Sequence, residues 1–279
     1  MRAALTALLI AAASPAAAAN LVSHCIALAD GPRDLRHASL LGPELAAEEV
    51  RILYTGHATF LIENADGQTF ATDFTGYVGA GIVPTVVTMN RAHSSHYTDF
   101  PDPAIPHVLR GWGTDGPGSV ARHRLELEGE LTGGTLVRNI TTDIRGFGGG
   151  RLEDQNSIFV FEMAGLCIGH LGHLHHEPTE EQYAQIGRLD IVMAPVDGGL
   201  TLDLPTMIRV LKRLRARIVL PMHWFGEATL DVFLAGMADE FRIERTLENT
   251  VVTSLRDLPR GEPVVQVLSP RYARLQDTR

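Results

Sequence analysis

The stretch of sequence that decides the fold is Val86-Val87-Thr88-Met89-Asn90-Arg91-Ala92-His93-Ser94-Ser95-His96-Tyr97. It begins as an apolar, β-branched run that is typical of a buried strand, and it ends in a polar turn with two histidines. Side chains at the carboxyl end of a buried strand lie at the rim of a sheet, where α/β folds place their chemistry. Two neutral imidazoles at this spacing can bind one metal ion, although the stretch alone also fits two solvated loop histidines.

Histidines follow other apolar runs of the chain in the same way. His57 comes after a predicted strand at 51–55, a histidine-rich run at 170–176 comes after one at 166–169, and His223 comes after one at 217–222. This repeated order of strand and then histidine strengthens the prediction of a metal site.

The hydrophobic pattern predicts strands, helices and turns along most of the chain. Asp66-Gly67 indicates a hairpin turn, and Asp203 indicates the start of a helix with one core-facing stripe. Further helices are predicted to begin at 178–181 and to span 229–241, and the predicted strands are 51–55, 59–63, 69–73, 84–88, 108–110, 124–128, a pair within 135–144, 157–162, 166–169, 190–196, 217–222 and 264–268. Strands come first as meanders and later alternate with helices, so we expect a layered α/β sandwich.

Composition limits the size of the core and the class of partner. The chain has 279 residues, of which 45% are apolar, and this is enough for a large core. The net charge of −9 and the lack of a basic stripe argue against a nucleic-acid partner.

The N-terminus differs from the rest of the chain. Residues 1–19 have a short positive region, an apolar run and an Ala-x-Ala site, which together predict a cleaved signal peptide. The alternative is a frayed apolar N-terminal helix. We therefore expect a single domain over 20–279 in a periplasmic or secreted protein, with no integral membrane segment after cleavage, because the apolar run is too short to span a bilayer.

Two cysteines remain in the predicted mature chain. Cys167 lies in an apolar stretch and is interpreted as a buried core thiol. A disulfide with Cys25 is compatible with an oxidising compartment, but sequence alone does not show that the two residues are close.

Several motifs together resemble a known family. They are Tyr54-Thr55-Gly56-His57-Ala58-Thr59-Phe60-Leu61-Ile62, Thr72-Asp73, the stretch 86–97, His170-Leu171-Gly172-His173-Leu174-His175-His176, Pro178-Thr179-Glu180-Glu181-Gln182, Ala194-Pro195-Val196 and Pro221-Met222-His223-Trp224. In this order they resemble the metallo-β-lactamase fold, in its ascorbate-phosphate-lactonase-like branch of small hydrolases. The resemblance extends over about residues 51–223 and implies a four-layer αββα sandwich.

The chain departs from the metal-binding pattern of that family. The signature His-x-His-x-Asp-His is present as Arg91-x-His93-x-Ser95-His96, and the family's Gly-Asp is present as Gly172-His173. Arg145 aligns with an isolated histidine of the family. A guanidinium cannot lose its proton to bind a metal, so the first of the family's two metal positions is expected to be lost.

The resemblance implies one remaining metal position. His96, His173 and His223 would hold a single divalent ion, with His93 close by, and three or four imidazoles make a zinc site. Arg91 and Arg145 would hold a phosphate or carboxylate of a small anionic substrate. For Arg91 the alternative is a salt bridge to Asp73 or Asp143.

The general base is the least certain part of the predicted site. His176 and Asp197 are the catalytic candidates, and His170 is a third that also fits a supporting role. His57 and Asp73 are expected to support the ligand loop. The predicted function is an exported, mononuclear metal-dependent hydrolase of an anionic ester, lactone or phosphodiester. The alternative is a non-catalytic metal- or anion-binding relative, and the sequence leaves the substrate, the metal and the oligomeric state open.

Overall fold

The computed structural model describes residues 23–26, 41–115, 118–146 and 148–275. The predicted signal peptide at 1–19 and its cleavage point before Asn20 lie outside the described residues. Among the helices that are described, none has the length and apolar character needed to cross a bilayer.

Strands dominate the described chain, and three helices accompany them. In chain order the elements are β1 (Glu49–Gly56), β2 (Thr59–Asn64), β3 (Thr69–Ala71), β4 (Val86–Met89), β5 (His107–Arg110), β6 (Arg124–Leu127), β7 (Thr135–Arg145), β8 (Arg151–Met163), β9 (Leu166–His170), α1 (Glu180–Ile186), β10 (Ile191–Pro195), α2 (Leu204–Leu214), β11 (Ile218–Met222), α3 (Glu227–Met237), β12 (Arg242–Arg245), β13 (Thr250–Ser254) and β14 (Val264–Val267).

The strands form two sheets that face each other. The first sheet has the order β13-β1-β2-β3-β4-β5, and the second has the order β12-β14-β11-β10-β9-β8-β7-β6. Strands β3, β4 and β5 are parallel neighbours, as are β9, β10 and β11. Large side chains of both sheets, such as Phe60, Phe159 and Phe161, share the apolar core between them. The predicted α/β sandwich, with two facing sheets, is confirmed.

The two outer faces are covered in different ways. Helices α1, α2 and α3 all pack on the second sheet, where Ile186, Met207 and Phe233 are fully buried. Irregular segments cover the outer face of the first sheet and contribute Phe74, Ile105 and other apolar residues to its core.

Local sequence explains where the helices begin. Thr179 and Gln182 form a reciprocal capping box at the start of α1, and Asp203 accepts the Thr206 N–H at 3.0 Å at the start of α2. Each cap satisfies backbone donors that the first helical turn leaves unpaired. Both helix starts agree with the sequence-based prediction.

The structure differs from the predicted elements at three places. Residues 135–145 form one long strand instead of a pair, because a register shift between Thr142 and Ile144 bends a continuous ladder. Strands β12 and β13 were not predicted. Each lies at the edge of a sheet and is short, and β12 also carries exposed arginines at both ends, so neither has the long apolar run of an inner strand.

Cys25 and Cys167 form a disulfide, with their Cα atoms 5.8 Å apart. The interpretation of Cys167 as a free core thiol was therefore wrong. The bond connects the segment 23–26 to β9, and Ser23 Oγ donates to Glu162 Oε1 at 2.6 Å beside it. Sequence missed the pair because 142 positions separate the two cysteines.

Candidate metal centre

The carboxyl ends of five parallel strands bring polar residues to one edge of the sandwich. In the first sheet, Asp73 follows β3, and His93 and His96 follow β4. In the second sheet, His173 follows β9, Asp197 follows β10 and His223 follows β11. Parallel strands that end at the same edge therefore deliver the candidate site from both sheets.

Four of these histidines form a compact cluster. One ring nitrogen from each of His93, His96, His173 and His223 lies within 4.8 Å of all the others. The Nε2 atoms of His93 and His173 are 2.9 Å apart, and those of His96 and His223 are 3.1 Å apart. These are the four residues predicted as metal ligands, and the structure brings all of them together.

Two of the four rings are backed by carboxylates. Asp73 Oδ2 lies 2.5 Å from His96 Nδ1, and both side chains are fully buried. Asp197 Oδ2 lies 2.9 Å from His223 Nδ1, although the N–H direction is off the line between the two atoms. A carboxylate only accepts hydrogen bonds, so it fixes the proton on Nδ1 and leaves Nε2 with a free lone pair.

The other two rings are backed by neutral groups. Ser95 Oγ lies 2.7 Å from His93 Nδ1 and 2.8 Å from His57 Nε2. His175 Nε2 lies 2.6 Å from His173 Nδ1. The cluster therefore has an outer shell with two negative charges, which balance the charge of one divalent cation.

Backbone strain is concentrated around the cluster. Six non-glycine residues among those described have a positive φ, and three of them are His57, Asp73 and His223, at 52°, 40° and 58°. Such conformations cost free energy and persist only where the surrounding structure imposes them. Gly172 has a φ of 60°, and a Cβ there would lie 2.3 Å from Asn90 Nδ2, so only glycine fits beside the first-sheet loop.

The geometry fits a bound cation. His96 Nε2 and His223 Nε2 both carry lone pairs, and at 3.1 Å these would repel each other without a positive charge between them. Nitrogens around a tetrahedral zinc are about 3.4 Å apart when each Zn–N bond is about 2.1 Å. The observed separation of 3.1 Å between His96 Nε2 and His223 Nε2 is a few tenths of an ångström from that value.

Desolvation favours the neutral form of three of the four imidazoles, which is the form that a ligand must have. Desolvation lowers the pKa of His93, His96 and His173 from the ordinary value, and the neighbouring rings lower it further for each of them. Burial also raises the pKa of Asp73 to about 6. The ionised form of this carboxylate is therefore costly unless a cation lies close to it.

Comparison with known proteins identifies the family. The chain matches the β-lactamase superfamily domain over residues 51–223, which is more than half of its length. The chain belongs to the metallo-β-lactamase superfamily. The finer resemblance to the ascorbate-phosphate-lactonase-like branch stays a prediction.

Relatives of this superfamily member are named as metal-dependent hydrolases. It is 24% identical over 192 residues to a UPF0173 metal-dependent hydrolase of Carboxydothermus hydrogenoformans, covering 63% of this chain and 84% of the relative. A solved structure from Thermotoga maritima, classed as a Zn-dependent hydrolase of the metallo-β-lactamase superfamily, is 25% identical. The match has a TM-score of 0.52 and covers 78% of this chain and 98% of the other. Igni18, a metallo hydrolase of Ignicoccus hospitalis, shares the fold at 14% identity, with a TM-score of 0.52 and coverage of 83% of this chain and 100% of the other.

The Arg145 side chain is bound to a neighbouring loop. Its Nη2 donates to the backbone carbonyls of Gly199, Leu200 and Thr201 at 2.6–2.8 Å, so the guanidinium fixes the loop after β10. These bonds give Arg145 a structural role, and the anion-binding role predicted for it stays a prediction.

The predicted catalytic candidates differ in how well each could accept a proton as a general base. Asp197 Oδ1 accepts the N–H groups of Gly199, Leu200 and Thr201, and its Oδ2 accepts the Thr201 hydroxyl and backs His223. Its pKa is held well below the ordinary value because these donors outweigh the effect of burial, so it orients His223 and is a poor proton acceptor.

His176 and His170 lie outside the cluster of four. His176 Nε2 is buried without a hydrogen-bond partner among the described residues, and burial lowers its pKa. His170 is fully buried and its Nε2 is 2.8 Å from Ala58 O, so it braces the β1–β2 turn that carries His57.

Arg91 is exposed and faces a large cavity. The cavity has a volume of about 1280 Å³, and Arg91, Tyr97, Trp112 and Arg151 contribute to its wall. The only side-chain contact of Arg91 among the described residues is with Gln155 Oε1 at 3.5 Å. Asp73 and Asp143 have other partners, namely His96 and Arg151, so the alternative salt bridge for Arg91 is not formed.

A second cavity borders His57. It has a volume of about 590 Å³ and is lined by His57, Tyr54 and Trp224, among others.

The roles of Ser95 and His175 were missed from sequence, because each was read as a departure or as part of a histidine run. The sequence signal was that Ser95 is two residues from His93 and His175 is two residues from His173, so that each can contact the ring of that histidine.

Proposed function

We propose that this superfamily member is a hydrolase that depends on one divalent metal, with zinc as the preferred ion. The facing lone pairs of His96 and His223, each fixed by a buried carboxylate, carry this proposal. The named activities of the relatives support the same reaction class.

The chain itself supplies the orientation and charge that such a reaction needs. A bound divalent metal would be held by the histidine cluster, and it polarises a substrate oxygen and lowers the pKa of a water ligand. Asp73 and Asp197 orient His96 and His223 through their Nδ1 atoms. Ser95 Oγ lies within hydrogen-bond distance of both His93 Nδ1 and His57 Nε2, so a neutral hydroxyl fixes the His93 ring.

Arg91 is the group that supports an anionic substrate. Its guanidinium is exposed to the cavity of about 1280 Å³ and has no carboxylate partner among the described residues. A planar guanidinium binds phosphate or carboxylate in a bidentate manner. The substrate class that we propose is a small ester, lactone or phosphodiester with such a group. Of the proposed catalytic residues, His176 remains the candidate for a base, since Asp197 is fully engaged.

Export is part of the same proposal. The disulfide between Cys25 and Cys167 supports a periplasmic or secreted location, because disulfides persist in oxidising compartments. The intact mass of protein from its native host should show the loss of about 19 residues, as a signal peptide of this layout is removed. The mass of the full chain would contradict it.

A hydrolase screen with metal removal and replacement tests the activity. Purified protein is treated with a chelator, assayed on carboxylate esters, lactones and phosphodiesters, and assayed again after zinc is restored. We expect turnover that disappears on chelation and returns with zinc. His96→Ala should be inactive, whereas His107→Ala, a histidine on β5 outside the cluster, should keep wild-type turnover.

The outcomes separate the two functions that the sequence left open. Turnover that survives complete metal removal would contradict the proposal. Tight zinc binding without turnover on any substrate class would favour the non-catalytic, metal-binding relative.

A further inference from the structure

The outermost contact of the cluster fixes a proton on His175. The backbone N–H of Arg145 lies 2.6 Å from His175 Nδ1 and can only donate. His175 Nδ1 is therefore the acceptor. A neutral imidazole carries one proton, and burial of this ring disfavours a charged form, so the proton of His175 is on Nε2.

The same reasoning assigns the tautomer of His173. His175 Nε2 lies 2.6 Å from His173 Nδ1, so the N–H of His175 donates and His173 Nδ1 accepts. His173 is buried, with 2% of its surface exposed, and is neutral for the same reason. Its single proton is therefore on Nε2, the atom that faces the cluster at 2.9 Å from His93 Nε2.

The other three histidines have the opposite arrangement. His96 and His223 are protonated on Nδ1 because each faces a carboxylate oxygen there. His93 can donate from Nδ1 to Ser95 Oγ, whose own proton goes to His57 Nε2. All three present an Nε2 lone pair to the centre, whereas His173 presents an N–H.

We infer that the centre is a three-histidine site of His93, His96 and His223, and that His173 is not a ligand but a hydrogen-bond donor beside them, with its Nε2 2.9 Å from His93 Nε2. The inference rests on the proposed function and refines the ligand set. An N–H group cannot ligate a metal, but it can donate to an anionic oxygen of the substrate or to the oxygen of a water molecule. Three protein ligands with one open position are the arrangement of catalytic zinc sites.

The Arg145 backbone and His175 are then positioning groups for His173. If His173 were a ligand instead, its Nδ1 would need the proton, and His175 would have to accept at Nε2. His175 could do so only by turning away from Arg145, which would leave that backbone N–H without its partner.

Nitrogen NMR of the metal-free full chain reads the tautomer directly. The protein is labelled with ¹⁵N at histidine, and the His173 signals are assigned by their loss in His173→Gln. We expect His173 protonated at Nε2, and His96 and His223 protonated at Nδ1. A His173 ring protonated at Nδ1 would overturn the inference. His175→Ala should release His173 into a mixture of tautomers, and an unchanged His173 tautomer in that variant would also contradict the assignment.

Zinc titration of matched variants provides the second test. His173→Gln keeps an N–H donor and should retain the zinc Kd of the wild type, whereas His96→Ala should lose at least about tenfold in affinity. His173→Ala should bind zinc but lose about 100-fold in kcat, as expected for removal of one donor to a developing anion. A loss of zinc from His173→Gln equal to that from His96→Ala would make His173 a ligand and overturn the inference, while leaving the proposed hydrolase intact. If the wild type binds no zinc, the proposed function fails, and the NMR measurement still decides the tautomer of His173.

Discussion

At the scale of single residues, the candidate centre is defined by what lies behind each ring. His96 and His223 are held by Asp73 and Asp197, and His93 is held by Ser95. The ring identity alone does not decide whether Nε2 can bind a metal, since the partner at Nδ1 sets the tautomer. Substitutions in these partners should therefore change metal affinity without removing a ligand.

Asp197→Asn is the most informative of these substitutions. The amide can still accept the loop N–H groups, but an NH₂ group placed near His223 Nδ1 would donate and move the ring proton to Nε2. We expect the zinc affinity to fall about 10–100-fold. Calorimetric titration measures it, with Asp231→Asn, which alters a surface pair with Arg245, as the control. An affinity equal to that of the control would show that Asp197 does not orient His223.

Arg91 provides a second prediction at the residue scale. Phosphate or sulfate should raise the melting temperature of the wild type and hardly affect Arg91→Ala, because binding to the folded state alone stabilises it. Arg91→Lys should weaken anion binding less than Arg91→Ala, since only the bidentate geometry is lost. Arg256→Ala, an exposed arginine paired with Glu48, is the control. An equal response of wild type and Arg91→Ala, or unfolding of the variant, would contradict an anion site at Arg91.

Sequence predicted the members of the cluster but not their connections. The family resemblance placed His93, His96, His173 and His223 at one metal position, and the structure brings them within 4.8 Å. It also assigned an anion to Arg145, whose guanidinium caps three carbonyls of a loop more than 50 positions away. Contacts at such separation depend on how two sheets pack, which local periodicity does not encode.

At the scale of elements, the parallel strands explain why the site forms where it does. Strands β3 and β4 end beside β9, β10 and β11, and each is followed within a few residues by a polar residue of the site. Buried strands with continuous apolar runs were predictable from sequence, because both of their faces are covered. Edge strands such as β12 were not, since half of their surface is polar and exposed.

The disulfide is an element-scale constraint on the N-terminal segment. It closes a loop of 142 positions, and Cys25→Ser should lower the free energy of unfolding by about 2–5 kcal/mol. Denaturant titration measures this change. Cys167→Ser and the double variant should show the same loss, and zinc content should not change in any of them. A stability equal to that of the wild type under oxidising conditions would show that the bond does not restrict the unfolded chain.

At the scale of the whole molecule, the buried histidines link stability to pH. Burial, together with the neighbouring His223 and His93 rings, lowers the pKa of His57 from 6.5 to about 4. Between these values the unfolded chain binds a proton that the folded chain does not. The stability of the metal-free protein should therefore be complete above pH 6.5 and fall as the pH decreases toward 4.

Asp73 acts in the opposite sense, because burial raises its pKa from 3.8 to about 6. It favours the folded state as the pH falls through that window, so a single melting curve does not isolate His57. Comparing the wild type with His57→Gln does so, since the variant keeps an acceptor for Ser95 but has no titrating ring. Its melting temperature should depend less steeply on pH between 6.5 and 4. Equal slopes would contradict a neutral, half-buried His57.

The central claim is one divalent metal in a histidine centre, and the metal content of the purified chain tests it most directly. Elemental analysis of metal-replete protein should find close to one equivalent of zinc per chain, because Arg91 stands at the first of the family's two metal positions, which is expected to be lost. The content should fall sharply in His96→Ala and His223→Ala and stay unchanged in His107→Ala. Two equivalents in the wild type, or none, would contradict the account.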